Sequence, residues 1–202
     1  DALRIDGRAM RARVVGEGGN LGFTQAGRVE YALAGGRINT DAIDNSGGVD
    51  SSDLEVNIKI ALGTAEADGR LDREARNRLL VEMTPDVIAL VLRTNVLQTQ
   101  QISLMQAEST TRFDEQISFM RALERDGRLD RRLEGLPDDE TIEVRSRERL
   151  GLTRPELAVL ISYNKLALAD AALAGGLADD PALENWLFDG LPDALGERFA
   201  PD

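Results

Sequence analysis

Polar and apolar positions along this chain follow two different periods. Over roughly the first sixty residues, short apolar runs are broken by glycine pairs. Arg13 to Gly16 predicts a short strand. Thr24 is placed to cap a helix running to about Leu33, which Gly35-Gly36 would close. Arg37 to Ile43 predicts a second strand. Ser51 or Ser52 would then cap a helix carrying Leu54, Val56, Ile58 and Leu62, and Glu55 stands at capping-box spacing from Ser52. Strand–helix–strand order is the pattern of a parallel α/β sheet.

Beyond residue 62 glycine thins out and a helical period takes over. Leu71 to Met83 predicts one helix. "TPDVIALVLRTNVLQTQQISLMQ" predicts another, with Thr84 as N-cap, Pro85 in the first turn and an end near Gln106. Thr111 to Glu124 is a third, ended by Asp126-Gly127. Thr153 and Pro155 repeat the start signal for a helix that stops at Gly175-Gly176. Asp180 and Pro181 open a last short one. "DGRLDR" occurs at Asp68–Arg73 and again at Asp126–Arg131. It lacks the alternating ligands of a calcium loop and predicts two similar helix–loop turns. The fold class expected is therefore mainly α with a small α/β portion. Its parallel-sheet remnant would span residues 1–62 and its helical region residues 63–202.

The 202 residues suffice for one large or two small domains with a real core. The net charge of −12 argues against binding a nucleic-acid backbone, but leaves room for a small anion held by a local site. With no cysteine there is neither a disulfide nor a thiolate metal site, which fits a reducing cytoplasm. With no histidine the commonest general base and metal ligand is missing. Asp41, Asp44, Asp50 and Asp53 cluster, yet their spacing suits caps and solvated surface better than a hard cation, so no metal is expected. No apolar run approaches 18 residues and no signal peptide is evident, so no membrane span is expected. The chain opens on Asp1 and passes almost at once into a strand-like run, as a piece of a longer protein would.

Chemistry is concentrated in two glycine turns. In "EGGNLGFT", Gly18-Gly19 let the backbone adopt positive φ or pass close to a ligand. Asn20 presents a donor and an acceptor, and helix amides near Thr24 add partial positive charge. "NSGGVDSSDLE" repeats the logic with Asn45, Gly47-Gly48 and Ser52, beside a helix start suited to an anion. Each turn alone is equally an ordinary strand–helix connection. Two in consecutive units would open on the same sheet edge, where ligands of such sheets bind.

These residues resemble a known family. Glu17-Gly18-Gly19-Asn20 with Thr24, and Asn45-Ser46-Gly47-Gly48-Val49 with Ser52 and Glu55, look like the E-G-A-N-x-P-T and N-A-G-G-V-x-x-S-x-x-E segments of glutamate dehydrogenases. "GLTRPELAVL" at Gly151–Leu160, followed by Tyr163 and Lys165, and "EMTPDVIALVLRTN" at Glu82–Asn95 are similar to the large bacterial NAD-specific enzymes. The resemblance implies that residues 1–62 end a dinucleotide-binding domain. It implies NAD as cofactor, held by Gly18, Gly19, Asn20 and Asn45. It implies L-glutamate and 2-oxoglutarate as ligands, with Ser52 on the side-chain carboxylate and Asn45 near the substrate. A homo-oligomer is expected as well, in the cytoplasm that the absence of cysteine fits. There are departures. Gly19 stands for alanine, the proline before Thr24 is missing, and there is no G-x-G-x-x-G. Neither Lys59 nor Lys165 matches the family's catalytic lysine, so no catalytic residue is expected in this chain and it should not turn over substrate alone. The other expectation is a non-catalytic regulatory or oligomerisation module. For that module, Ile88, Val91, Leu92, Val96 and Leu97 are expected to fill their own core rather than meet a partner.

Overall fold

The computed structural model describes residues 5–183, 186 and 189–199. The described chain is mainly helical. After a 3₁₀ turn at Gly7–Ala9 come α1 (Gln25–Leu33), α2 (Asp41–Asp44), α3 (Ser46–Ala67), α4 (Arg73–Glu82) and α5 (Thr84–Ala107). Then follow α6 (Phe113–Arg125), α7 (Asp139–Glu148), α8 (Arg154–Ala174), two 3₁₀ turns and a short helix at Asp193–Phe199.

The expected sheet is reduced to its smallest element. Among the described residues the β pairing is a single parallel bridge, Val14 with Arg37. Val15 N–H donates to Arg37 O at 2.9 Å and Arg37 N–H to Arg13 O at 3.1 Å. Order and direction match the strand–helix–strand reading. Length does not, because the described residues supply two extended segments and no further strand to extend the ladder. The second segment stops at Thr40, where Asp41–Asp44 turns into a helix instead of continuing as strand to Ile43. α1 forms as the sequence predicts. Thr24 Oγ1 accepts from Gly27 N–H at 3.1 Å, and Gly35 closes the helix at φ +92°. Gly36 is demanded by packing, since a Cβ there would lie 2.2 Å from the Tyr31 ring.

α3 departs most from expectation. It starts at Ser46, so Gly47, Gly48, Ser51 and Ser52 all lie inside the helix. Ser51 Oγ donates to Gly47 O at 2.6 Å and Ser52 Oγ to Gly48 O at 3.1 Å. A hydroxyl bonded back to the i−4 carbonyl belongs to a helix interior and not to a cap. Thr84 does the same toward Leu80 O at 3.1 Å, so it does not cap α5 as expected. α7, over a charged stretch not singled out as a helix, is capped by Asp138, which accepts from Thr141 N–H at 2.8 Å. The two "DGRLDR" copies do adopt one turn, with Gly69 and Gly127 at φ +71° and +66°. Arg70 N–H returns to Ala65 O and Arg128 N–H to Leu123 O, both at 2.9 Å. They then diverge. Asp72 caps α4, whereas Asp130 accepts from Arg132 and Leu133 N–H in a further turn. Pro181–Leu183 is a 3₁₀ turn with Asp180 accepting from Ala182 N–H.

The chain divides into two compact units, residues 1–45 with 98–170 and residues 46–97 with 171–202. These compact units are a different partition from the domain boundary expected at residue 62, and α3 runs through that residue without a break. A drop in glycine content marks where turns end, and does not mark which helices share a core. The first unit is built on Ile102, Phe113, Ile117, Met120, Leu123, Leu157 and Leu160. The second is built on Ile58, Leu62, Leu79, Met83 and Leu195. Ile88, Leu92, Val96 and Leu97 do not enter a core as expected and are exposed.

α8 bears on the expectation that no segment spans a membrane, without overturning it. It is long and apolar enough, by length and composition, to cross a membrane. Its N-terminal half, Leu157 to Ile161, is buried in the first unit. That burial is anchored by Glu156, which accepts from Arg145 Nη1 and Nη2 (2.7 and 3.0 Å) and from Thr153 N–H and Oγ1 (both 2.7 Å). Further along, Tyr163 donates to Glu134 at 2.7 Å. That bond, with burial and the negative charge, pushes the phenol up to about 12. The Glu156 and Arg145 side chains are 1% and 7% exposed, so neutralising one strands the other. Glu156→Gln is expected to lower the unfolding free energy of this chain by about 3 kcal/mol. Urea denaturation checks this, and an unchanged midpoint would contradict it.

Candidate functional site

The loop from Gly16 to Thr24 is short, glycine-rich and mostly exposed, so its shape must be imposed from outside. Glu17 imposes it. Its side chain, 4% exposed, receives Arg28 Nε at 2.8 Å and Nη2 at 2.7 Å in a two-point pair. Glu17 Oε1 also accepts Phe23 N–H at 2.8 Å, folding the loop back on its own start. Arg28 Nη2 reaches Asp41 Oδ1 at 3.2 Å as well.

The residues after the second extended segment complete the frame. Asp41 Oδ2 accepts Leu21 N–H, and Asp44 Oδ2 accepts Glu17 N–H, both at 2.9 Å. Asn39 Nδ2 donates to Asp44 Oδ1 at 2.7 Å. These aspartates were expected as caps and solvated surface. Instead they tie one turn to the other. Arg28, Asn39 and the structural role of Glu17 went unforeseen. No spacing rule joins residues 11 or 27 positions apart, although a glutamate opening a glycine turn was the available hint.

Asn20 and Asn45, the two asparagines singled out in the sequence, meet. Asn45 Nδ2 donates to Asn20 Oδ1 at 2.8 Å. Asn20 Nδ2 and Asn45 Oδ1 have no partner among the described residues, so one free donor and one free acceptor remain on this pair. Gly18 and Gly19 have ordinary φ values, and a Cβ on either would meet nothing within 4 Å. Their expected positive φ is therefore not used. Gly47 sits in the first turn of α3, where a Cβ would meet Asn95 and Val91 at an ordinary 3.5 Å. Neither packing nor backbone angle requires glycine at these three positions. Ser52 lies on the exposed face of α3, in the other unit from the asparagines. Lys59 pairs with Glu55, and Lys165 donates to Gln98 at 2.6 Å.

A cleft of about 1000 Å³ lies on another face of α1 and is lined by none of these residues. Its Arg8, Arg131 and Arg145 are each paired with a carboxylate, Glu30, Glu124 and Glu156. No group of three potential ligands for a metal occurs among the described residues.

The Asp41 carboxyl is held below the ordinary carboxylate value. Burial opposes this, but the Leu21 and Ala42 N–H bonds and Arg28 outweigh it. A lowered native pKa adds stability above the ordinary value near 4, and that stability is lost as pH falls through the native value. Asp41→Asn is expected to be less stable than the parent at neutral pH and to lose less stability on acidification below about pH 4. Chemical denaturation across pH 2–7 reads both, and parallel curves for the two proteins would refute it.

Known proteins match this chain over both halves. The profile described as "Bacterial NAD-glutamate dehydrogenase, catalytic domain" matches residues 1–105, and "Glutamate dehydrogenase, C-terminal" matches residues 149–202. The chain is 51% identical over 199 residues to the NAD-specific glutamate dehydrogenase of Pseudomonas aeruginosa, 47% over 199 to that of Halomonas elongata and 42% over 202 to that of Mycobacterium tuberculosis. These alignments cover 98%, 98% and 100% of this chain and 12% of each relative, so the chain spans about an eighth of the proteins it matches. With the catalytic-domain profile extending over residues 1–105 of 202, the chain belongs to the bacterial NAD-glutamate dehydrogenase family.

Proposed function

We propose that this chain is a segment of an enzyme that oxidatively deaminates L-glutamate to 2-oxoglutarate and ammonia with NAD. The family membership supports it, as do relatives named NAD-specific glutamate dehydrogenase. The observation that carries the assignment to these residues is the bonded pair Asn20–Asn45, which leaves one amide donor and one carbonyl acceptor free. A primary carboxamide such as that of nicotinamide needs that complement. Gly18 and Gly19, which the fold itself does not require, leave room for close approach. The fit therefore favours Gly18, Gly19, Asn20 and Asn45 as cofactor contacts, with Asn45 also toward the substrate; Ser52 is assigned to the substrate carboxylate by the family resemblance alone. When bound, the cofactor supplies the hydride acceptor. The residues of this chain bind and orient, and none of them removes a proton. On this reading residues 1–62 close the dinucleotide-binding domain, whose sheet Val14 and Arg37 would continue, and residues 63–202 form a C-terminal helical region. A cytoplasmic setting is part of the same proposal and rests on the absence of cysteine.

The full-length protein is expected to reduce NAD with glutamate and with no other amino acid in a panel. Ser52→Ala is expected to raise KM for glutamate about tenfold, the worth of one hydrogen bond to a charged group. Failure of every amino acid to reduce NAD would end this proposal. A homo-oligomer is proposed on one further observation, the exposed Ile88 and Leu92, one turn apart on one face of α5. Leu92→Glu in the full-length protein is expected to lower the assembly state seen by sedimentation. An unchanged state would remove this stripe from the interface.

A further inference from the structure

Five described arginines are not exposed: Arg28, Arg76, Arg131, Arg145 and Arg154. The first four pair with Glu17, Glu66, Glu124 and Glu156. Arg154 alone has no carboxylate partner. In a chain with 36 acidic against 24 basic residues, acids to pair with it are plentiful. Its guanidinium is held by neutral acceptors instead. Nε donates to Asn39 Oδ1 at 3.1 Å, and Nη1 to Ser103 Oγ at 3.0 Å and Gln106 Oε1 at 3.2 Å. Nη2 has no partner among the described residues. The residue also opens α8, where the helix dipole disfavours a cation.

A second arginine faces the same place. Ile38 is buried and Arg37 exposed, and along an extended segment alternate side chains share a side. Arg37 therefore lies on the side of Asn39, the residue that holds Arg154. Arg37 makes no ion pair among the described residues either. Burial and the neighbouring positive charge of Arg37 hold Arg154 below the usual guanidinium value, with Asp44 acting the other way. Two like charges kept adjacent and unneutralised, one of them pre-oriented by three neutral clamps, make a receptor for an oxyanion.

We propose that Arg154 and Arg37 form an anion site that takes a carboxylate of the dicarboxylic substrate, an assignment that rests on the function proposed above. A carboxylate suits the site better than a phosphate. Asp44 lies two hydrogen bonds away through Asn39, and a phosphate dianion would feel that negative charge twice over. The same chain of bonds runs on from Asp44 to Glu17 N–H, linking Arg154 to the asparagine-bearing loop. Arg154 lies in the block matched by the C-terminal profile and the loop in the block matched by the catalytic profile. The C-terminal segment thereby supplies a substrate-positioning group to the catalytic one.

The test uses the full-length protein and two unreactive probes, glutarate and inorganic phosphate, measured by calorimetry. Arg37→Gln is the main variant because Arg37 is exposed and unpaired, so its Tm should not move. Glutarate binding is expected to weaken about tenfold in Arg37→Gln and at least as much in Arg154→Gln, with the Kd for NAD unchanged. An unchanged glutarate Kd in both variants, in an enzyme that still oxidises glutamate, overturns the anion site and leaves the proposed function standing. Loss of phosphate or NAD binding with glutarate unaffected overturns the carboxylate assignment in favour of a cofactor phosphate. A wild type that oxidises no amino acid, yet binds glutarate through Arg37, supports the anion site while removing the proposed function.

Discussion

The loop bearing Gly18, Gly19 and Asn20 depends on one buried ion pair, Glu17 with Arg28. Both side chains are withdrawn from water, and the pair holds because its geometry is two-pronged and its remaining capacity is used by Phe23 N–H and Asp41. Such a pair contributes little net stability against an apolar substitute, but it fixes one arrangement, because any other leaves a charge stranded. Glu17 sits at the end of the first extended segment, Arg28 in the second turn of α1 and Asp41 after the second segment. One guanidinium therefore registers three pieces of chain that the single β bridge alone would leave loosely joined.

Much of the helical architecture was legible from residue pattern, and the reason is local. Thr24, Gly35 and the glycines of both "DGRLDR" turns act on backbone within a few residues of themselves. The misreadings share a different cause. Ser51 and Ser52 carry a cap signature, but α3 had already started at Ser46, and once inside a helix a serine turns its hydroxyl to the preceding carbonyl. The strand expected through Ile43 yields to a helical turn because Asp41 and Asp44 are wanted as acceptors for Leu21 and Glu17. That demand comes from 20 and 27 residues away, where no short-range signal reaches.

The candidate site was legible in its asparagines and not in its supports. Asn20 and Asn45 stand 25 positions apart and meet through one bond. The residues that bring them together, Arg28, Asn39 and the aspartates, are of types common on any surface. Arg154 illustrates the same limit. In sequence it is one of many arginines, and what sets it apart is partial burial without a carboxylate partner among the described residues.

Leu21 carries a consequence of its own. It holds a left-handed backbone, φ +59°, without being glycine, and its side chain is 82% exposed, so no burial repays the strain of about 1 kcal/mol. The bond from its N–H to Asp41 is what keeps it there. The tip of the loop thus holds a strained residue whose N–H is satisfied by one carboxylate, while Glu17 and Asn45 fix the residues on either side of it.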